Sequence, residues 1–513
     1  MGPSGGAGAA LRSVATGDDE GVHLTTTVGT IAGNLGAEVH ETHTGLVVLV
    51  GDRAYKLKKP VVTDFLDFSA ARTRESVCRR EVELNRRLAP SAYFGVGHLR
   101  PPAGEPEPVV VMRRYPDSQR LSELVRSGAD VHRWLMSIAQ TLARFHAGAE
   151  RGPSVDAQAT AAALSARWHQ NLAALRHHVG TVVDDRQVTE ITRLATQYLA
   201  GRDLLYRQRI AADRVVDGHG DLLAQDIFCT PEGPMLLDCL EFDDLLRYVD
   251  GIDDAAFLAM DLEFLGRRDL ADLFLDEYCR RAEDTSAPSL RHMCIAYRAV
   301  VRAKVDCIRV LQGHAEAKVD AGRHMAIAHE HLTSASVQLV VVGGGPGTGK
   351  TTVARALAEQ LDAQVISTDE VRRELLQAGA VHGRTGELNA GLYAPESVSV
   401  VYDEVLRRAH TWLGAGHSVI LDGTWRTADH RQRAHTVAAE TYSSIVEFCC
   451  ALPLSEAGRR IAARGPTASD ATPSIAAELG DPAAGWPTAH ALDTSRPVAD
   501  SVAEAREICR RAI

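Results

Sequence analysis

From position 344 the chain runs Gly344-Gly345-Pro346-Gly347-Thr348-Gly349-Lys350-Thr351-Thr352, a spacing that can cradle phosphate. Glycines at 344, 347 and 349 let the backbone curl so that successive N–H groups face one concavity, and a helix that follows adds its positive N-terminal end. Lys350 is then placed to reach the β- and γ-phosphates of ATP, and the Thr351 hydroxyl to meet Mg²⁺. Two carboxylates stand downstream at the ends of apolar runs. Gln364-Val365-Ile366-Ser367 delivers Asp369, with Arg372 one helical turn later, and residues 417–421 end in Asp422. An acid and a cation three residues apart at a helix start share a face, so Asp369 can take a hydroxyl proton while Arg372 holds an anionic substrate. The alternative for Asp369 is an N-cap of that helix. Asp422 has the place expected of a further metal carboxylate, and Arg459, Arg460 and Arg464 form a basic run suited to a lid over transferring phosphate.

A second constellation lies upstream. His219-Gly220-Asp221-Leu222-Leu223-Ala224-Gln225-Asp226 is followed by a turn at Pro231-Glu232-Gly233 and an apolar strand, Met235-Leu236-Leu237, that ends in Asp238. Phosphoryl transfer needs one carboxylate beside the acceptor hydroxyl and others on the Mg²⁺ that bridges the phosphates. Asp221 suits the first role, Asp226 and Asp238 the second. Nearly every cation in the chain is arginine; lysine occurs only at 56, 58, 59, 304, 318 and 350. Where lysine persists, a compact point charge is called for rather than a planar fork, which draws attention to 56–59.

Elements must hold these groups. Residues 45–50 and 53–58 read as two strands about a Gly51-Asp52 turn, putting Lys56 on the second. A helix-like segment over 70–88 carries Glu81 and Glu83, and further strands are expected near 95–99 and 109–112. After Asp238 the pattern becomes helical over 248–266, 269–281 and 289–312. Asp250, Asp253 and Asp254 fall near the candidate metal site, and the last helix bears Arg298, Arg302 and Lys304; the expectation is internal pairing of these acids with those arginines, with substrate binding as the alternative. Residues 313–336 mix charge, His and Ala before a new strand begins. The chain is therefore expected to divide into a disordered tail over 1–22, a small lobe over 23–113, a large helical lobe over 114–335 and a P-loop domain over 336–513, and a cut near Thr333 to release two folded pieces.

Composition narrows the function classes. A chain of 513 residues is too long for one core, and no apolar run approaches the ~18 residues a membrane span needs. Nine cysteines without any C-x-x-C indicate neither zinc nor a disulfide framework, which fits a reducing cytoplasm. A net charge of −11 argues against membrane-surface or general nucleic-acid binding, and against a nucleic-acid 5′-kinase, leaving small-molecule partners.

The order of Lys strand, Glu helix and further strands, and then HGDLLAQDIF followed by LLDCLEFDD, resembles the aminoglycoside phosphotransferase-like kinases over roughly 35–325. That resemblance implies an α+β, protein-kinase-like bilobal domain. It also implies Lys56 on the α/β-phosphates, Glu81 as its helix partner, 112–115 as the hinge beside adenine, Asp221 as catalytic base and Asp238 as metal ligand. One position departs from the family pattern: Asp226 stands where Asn is usual, and this keeps open a degenerate half that binds nucleotide without turnover. The C-terminal stretch resembles P-loop kinases of the gluconate kinase, polynucleotide kinase and zeta toxin group rather than AAA motors, which implies an α/β P-loop NTPase domain with a mostly parallel sheet. The resulting expectation is a bifunctional phosphotransferase that uses ATP and Mg²⁺ to phosphorylate hydroxyls of small molecules. Its rival is a nucleotide-binding regulatory protein.

Overall fold

The computed structural model describes residues 38–41, 45–60, 62–63, 66–99, 106–383, 390–463 and 485–513. The tail expected over 1–22 lies outside them, as does Arg464. Strands β1 (Glu38–Glu41), β2 (Gly45–Val50) and β3 (Arg53–Lys58) are followed by the two-residue strands β4 (Val62–Thr63) and β5 (Leu66–Asp67), helix α1 (Ala71–Asn85), β6 (Tyr93–Leu99) and β7 (Glu107–Arg113). The main sheet has the order β1-β2-β3-β7-β6 with every neighbour antiparallel. Gly51 turns the β2–β3 hairpin with φ 56°, a left-handed conformation that glycine adopts without strain. Because side chains alternate along a strand, β3 buries Leu57 with Leu46, Val48 and Val109 on one face. Its other face turns Lys56 and Lys58 toward α1, where Cys78 and Val82 pack with Tyr93 and Val110.

The large lobe is built from α2 (Leu121–Arg126), α3 (His132–Gly148), α4 (Pro153–Asp156), α5 (Ala161–Arg176), α6 (Asp185–Ala200), α7 (Asp203–Ala211), α8 (Gly251–Phe264), α9 (Arg268–Ala282), α10 (Pro288–Leu311) and α11 (Ala317–Ala335). Between α7 and α8 the chain forms two small antiparallel ribbons: β8 (Val215–Asp217) pairs with β11 (Tyr248–Asp250), and β9 (Ile227–Thr230) with β10 (Gly233–Leu236). Helix α8 is buried almost all round and forms the lobe's axis. The helix expected from 248 starts three residues later, because Tyr248 and Val249 pair with β8 and Asp250 caps α8 by accepting the Ile252 N–H at 3.0 Å. Residues 313–336, read as a connector, are mostly helix α11. Its Ala321, Met325, Ala328, Leu332 and Ala335 recur at helical spacing and are buried, a period masked in the sequence by the histidines and charges between them.

The last unit comprises β12 (Gln338–Gly344), α12 (Lys350–Leu361), β13 (Gln364–Ser367), α13 (Thr368–Gln377), α14 (Pro395–Gly414), β14 (Val419–Asp422), α15 (Ala428–Glu440), β15 (Ser444–Ala451), α16 (Leu454–Ala463), β16 (His490–Asp493) and α17 (Val498–Arg511). Its sheet has the order β13-β14-β12-β15-β16 and every pair is parallel. The fold is thus an α+β kinase-like bilobal unit followed by an α/β P-loop unit.

The two units are closely joined. A Cβ on Gly201 would lie 2.1 Å from the Thr441 carbonyl oxygen, so only glycine fits there. Arg202, 1% exposed, donates to the Leu413 carbonyl and to Ser443 Oγ at 3.3 Å, and Ser289 Oγ donates to the Gly416 carbonyl at 2.6 Å. One apolar cluster runs from α2 through α8, α10 and α11 into β12, α14 and Trp486. A cut near Thr333 would divide this cluster.

Candidate active sites

In the cleft between the lobes of the first unit, Lys56 Nζ lies 3.0 Å from Glu81 Oε1 and pairs with Asp238 Oδ1. Lys58 Nζ lies 2.7 Å from Glu81 Oε2 and pairs with Glu241. Burial works against ionisation of Glu81, but the two lysines override it and hold the carboxyl below its ordinary range. Burial likewise opposes the Asp238 charge, and Lys56 overrides it. Asp238 is 41% exposed at the cleft mouth, so water screens its pair with Lys56 far more than it does the enclosed pairs of Lys58. The Asp238 backbone is left-handed with φ 64°, a conformation that costs a non-glycine residue about 1–2 kcal/mol. Its N–H donates to the Tyr93 hydroxyl at 3.1 Å.

Asp221 and Asp226 stand on the loop between β8 and β9. The loop is pinned from beneath by Asp254 on α8, whose carboxylate accepts the His219 N–H at 2.7 Å and the Gly220 N–H at 2.8 Å and bonds His146 Nε2 at 2.9 Å. Leu237, just after β10, joins in through its carbonyl, 3.0 Å from His219 Nε2, and through its N–H, which donates to the Asp226 carbonyl at 3.0 Å. Burial pushes the Asp221 carboxyl up to about 6 against the pull of Arg302. Burial, with Asp238 and Asp221 close by, pushes Asp226 up to about 8. Of the three acids expected to pair with Arg298 or Arg302, only Asp253 does so, with Arg298 at 3.0 Å. Asp250 pairs instead with Arg209 at 2.7 Å, Asp254 holds the loop, and Lys304 bonds Asn171 at 2.7 Å.

In the second unit β12 runs into the glycine loop, with Gly344, Gly347 and Gly349 at φ 140°, 79° and 85°. At Gly347 space is also decisive, since a Cβ there would lie 2.6 Å from the Ala457 carbonyl oxygen and 2.9 Å from Ile461 on α16. Gly345 accepts from Lys350 Nζ at 3.1 Å and from Thr348 Oγ1 at 2.8 Å; Pro346 is buried and Thr352 exposed. Thr351 Oγ1 donates to Asp422 Oδ2 at 2.7 Å. Asp422 is 3% exposed, and its Oδ1 has no hydrogen-bond partner. Burial pushes this carboxyl up, with Lys350 pulling the other way. A hydroxyl beside a buried carboxylate oxygen without a partner is a donor set that fits a hard divalent cation.

Asp369 is not the cap of α13, a position that falls to Ser367. Its carboxylate instead receives Arg372 at 2.6 Å, and the Arg372 guanidinium, 9% exposed at the side chain, sits 4.6 Å from the Tyr393 ring with its Nε unpartnered. Arg460 donates to the Thr494 carbonyl at 3.1 Å and lies against Gly349, whereas Arg459 turns outward to Glu456. Among the described residues no three His, Cys, Asp or Glu side chains are gathered as a ready metal site. A cation held by one or two side chains in either unit would draw its remaining ligands from nucleotide phosphates and water, as Mg²⁺ commonly does.

Two groups in the first cleft carry no role in the sequence expectations: Lys58 and Glu241, which complete the ion-pair chain. Asp254, expected to pair with an arginine, supports the loop instead. The spacing of Lys56 and Lys58, two apart on a strand, was a usable signal; nothing local distinguishes Asp254 from Asp253.

A protein family described as AAA domain matches residues 339–480, a stretch that holds the glycine loop, Asp369, Arg372, Asp422 and Arg460. An uncharacterized protein of Mycobacterium tuberculosis is 54% identical over 477 residues, covering 93% of this chain and 96% of that protein. Among solved structures, a choline/ethanolamine kinase family protein from Mesorhizobium loti is similar at 14% identity, over 59% of this chain and 99% of that one, with a TM-score of 0.35. A gluconokinase from Sinorhizobium meliloti 1021 is similar at 18% identity, over 34% of this chain and 93% of that one, with a TM-score of 0.26.

Proposed function

We propose that this chain, which belongs to the same family as that mycobacterial protein, is an ATP-dependent phosphotransferase with two nucleotide sites, each serving the hydroxyl of a small molecule. The observation that carries the reading is a motif met twice: a lysine aimed at a phosphate position beside a carboxylate at a strand end. Lys56 meets Asp238 in one unit, and Lys350 closes the glycine loop beside Thr351 and Asp422 in the other. Lys56 and Lys350 bind the phosphates, and Arg460 adds charge over the second site. Asp226 and Asp238 in the first unit, and Thr351 with Asp422 in the second, would hold Mg²⁺, which when bound neutralises charge on the phosphates. Asp221 and Asp369 accept the proton of the acceptor hydroxyl, and Arg372 orients the acceptor of the second unit. The proposed division is 23–113 and 114–335 for the lobes of the first unit and 336–513 for the second.

A cytoplasmic setting accords with nine cysteines that are all buried and form no disulfide. No helix among the described residues is long and apolar enough to cross a membrane.

One observation favours a second reading, in which the kinase-like unit binds nucleotide without turnover: Asp226 adds a third carboxylate to a cleft already crowded with acids. Asp226→Asn separates the two readings. Unchanged or higher phosphotransfer supports the first, whereas no transfer by either form supports the second. The overall test is a screen of ADP release by the full chain over sugars, sugar acids, aminoglycosides and nucleosides. Acceptor-dependent release that Lys350→Ala and Asp221→Asn each reduce is expected; none with any acceptor counts against an enzyme.

A further inference from the structure

Strand β3 presents two lysines on one face, and a phosphate site needs one. Lys56 and Lys58 take one oxygen each of the Glu81 carboxylate, at 3.0 and 2.7 Å. Beyond Glu81 the partners diverge, Lys56 pairing with Asp238 and Lys58 with Glu241. The result is an alternating chain, Asp238–Lys56–Glu81–Lys58–Glu241, whose two ends lie three residues apart in sequence. Its ends differ in access to water. Asp238 is 41% exposed, whereas the side chains of Glu241, Lys58 and Glu81 are 10%, 1% and 0% exposed. Lys58 is therefore sealed away from any phosphate that Lys56 could reach.

We propose that the Lys58–Glu241 pair is a positioning device for Lys56. It holds Glu81 by its second oxygen and ties β3, α1 and the segment after Asp238 together whether or not nucleotide is present. The inference rests on reading the first unit as a nucleotide site. When Mg-ATP enters, Lys56 exchanges Asp238 for phosphate oxygens while Glu81 keeps a cation on its other side. Without Lys58, Glu81 is a fully buried carboxylate served by Lys56 alone, and Glu241 is left enclosed with no cation, a costly arrangement that relaxes by drawing Lys56 inward. Lys56 then meets phosphate less well, although the adenosine part of the ligand is untouched.

The test uses the full chain in a Lys350→Ala background, which silences the glycine-loop site, with calorimetric titration of Mg-ATP and of adenosine and a melting curve for each variant. Lys58→Met is expected to weaken Mg-ATP about tenfold or more and to leave adenosine within about twofold. Glu241→Gln, isosteric and uncharged, keeps the Lys58–Glu81 contact but loosens Lys58, and is expected to weaken Mg-ATP about threefold, less than Lys58→Met, while leaving adenosine within about twofold. Added to Lys58→Met, it should recover part of the lost affinity, because the stranded charge is gone. Lys58→Arg, which keeps the charge, should bind more tightly than Lys58→Met. Equal loss of Mg-ATP and adenosine affinity in Lys58→Met overturns the proposal, since the pair is then only structural. So does unchanged Mg-ATP affinity in that variant. If Lys58→Met does not fold, Glu241→Gln decides together with Lys58→Arg: Mg-ATP and adenosine falling in parallel in both again overturns it. A Lys350→Ala parent that binds no Mg-ATP defeats the nucleotide reading of the first unit, a failure distinct from the others.

Discussion

Replacing Asp254 removes the support under Asp221 without touching a carboxylate that faces the cleft. Its carboxylate, 0% exposed, accepts two backbone N–H groups, at 2.7 and 2.8 Å, and bonds His146. Alanine leaves both buried amides without an acceptor, at about 1–3 kcal/mol each, or about 2–6 kcal/mol together. That is a large part of a total stability of about 5–15 kcal/mol. Asparagine keeps one carbonyl oxygen and turns its NH₂ toward the other donor, so its cost is about 1–3 kcal/mol for one stranded amide. Urea unfolding with an unchanged slope should therefore rank the wild type above Asp254→Asn and that above Asp254→Ala. The pH dependence has a definite sign. Burial opposes the Asp254 charge, but His146 and then His219, in part through its N–H, override it and hold the carboxyl well below its ordinary range. A depressed folded pKa contributes stability above the unfolded value of about 4 and loses it as pH falls toward the folded one. The gap between wild type and Asp254→Asn should thus be constant above about pH 4 and shrink below it. Both variants within about 0.5 kcal/mol of wild type would show that Asp254 does not support the loop.

Gly347→Ala should weaken nucleotide binding at the glycine-loop site about tenfold or more, because the added Cβ meets the Ala457 carbonyl at 2.6 Å and α16 must withdraw from the loop; titration of the full chain measures it. Asp221→Asn is expected to keep Mg-ATP affinity in the first unit while losing phosphotransfer, and Asp238→Ala to lose Mg²⁺-dependent affinity; equal affinities in the two variants would break that assignment. With the Asp221 carboxyl near 6, transfer by the first unit should decline as pH falls below about 6, where the base becomes protonated. Cutting the chain near residue 333 should leave the piece from 336 onward with a lower melting temperature than the same unit in the full chain, because β12 and α14 lose the apolar cluster they share with α10 and α11; equal melting temperatures would show the shared cluster to be dispensable.

Much of this molecule is legible in its sequence where the signal is local. The glycine loop, the β2–β3 hairpin and strand β14, which ends at Asp422, follow from turn residues and apolar runs and lie where the pattern places them; β13 stops at Ser367, so Asp369 falls in the first turn of α13, and β10 stops at Leu236, two residues before Asp238. The misses are cases where tertiary partners decide. Tyr248 to Asp250 form a strand because β8 lies beside them, and α11 is amphipathic against α10 although its polar residues obscure the period. Adjacent acids diverge for the same reason: Asp253 finds Arg298 while Asp254 turns beneath His219. The join between the units, with Gly201 against Thr441, rests on close packing that leaves no trace in residue spacing.

The proposal that one chain carries two phosphotransferase nucleotide sites is open to direct measurement. The most direct measurement is calorimetric titration of the full chain with a non-hydrolysable ATP analogue and Mg²⁺, for wild type, Lys350→Ala and Lys350→Ala with Asp238→Ala. Two, one and zero nucleotides bound per chain are expected. A single nucleotide in wild type that Lys350→Ala abolishes would contradict it, leaving the glycine loop as the chain's sole nucleotide site.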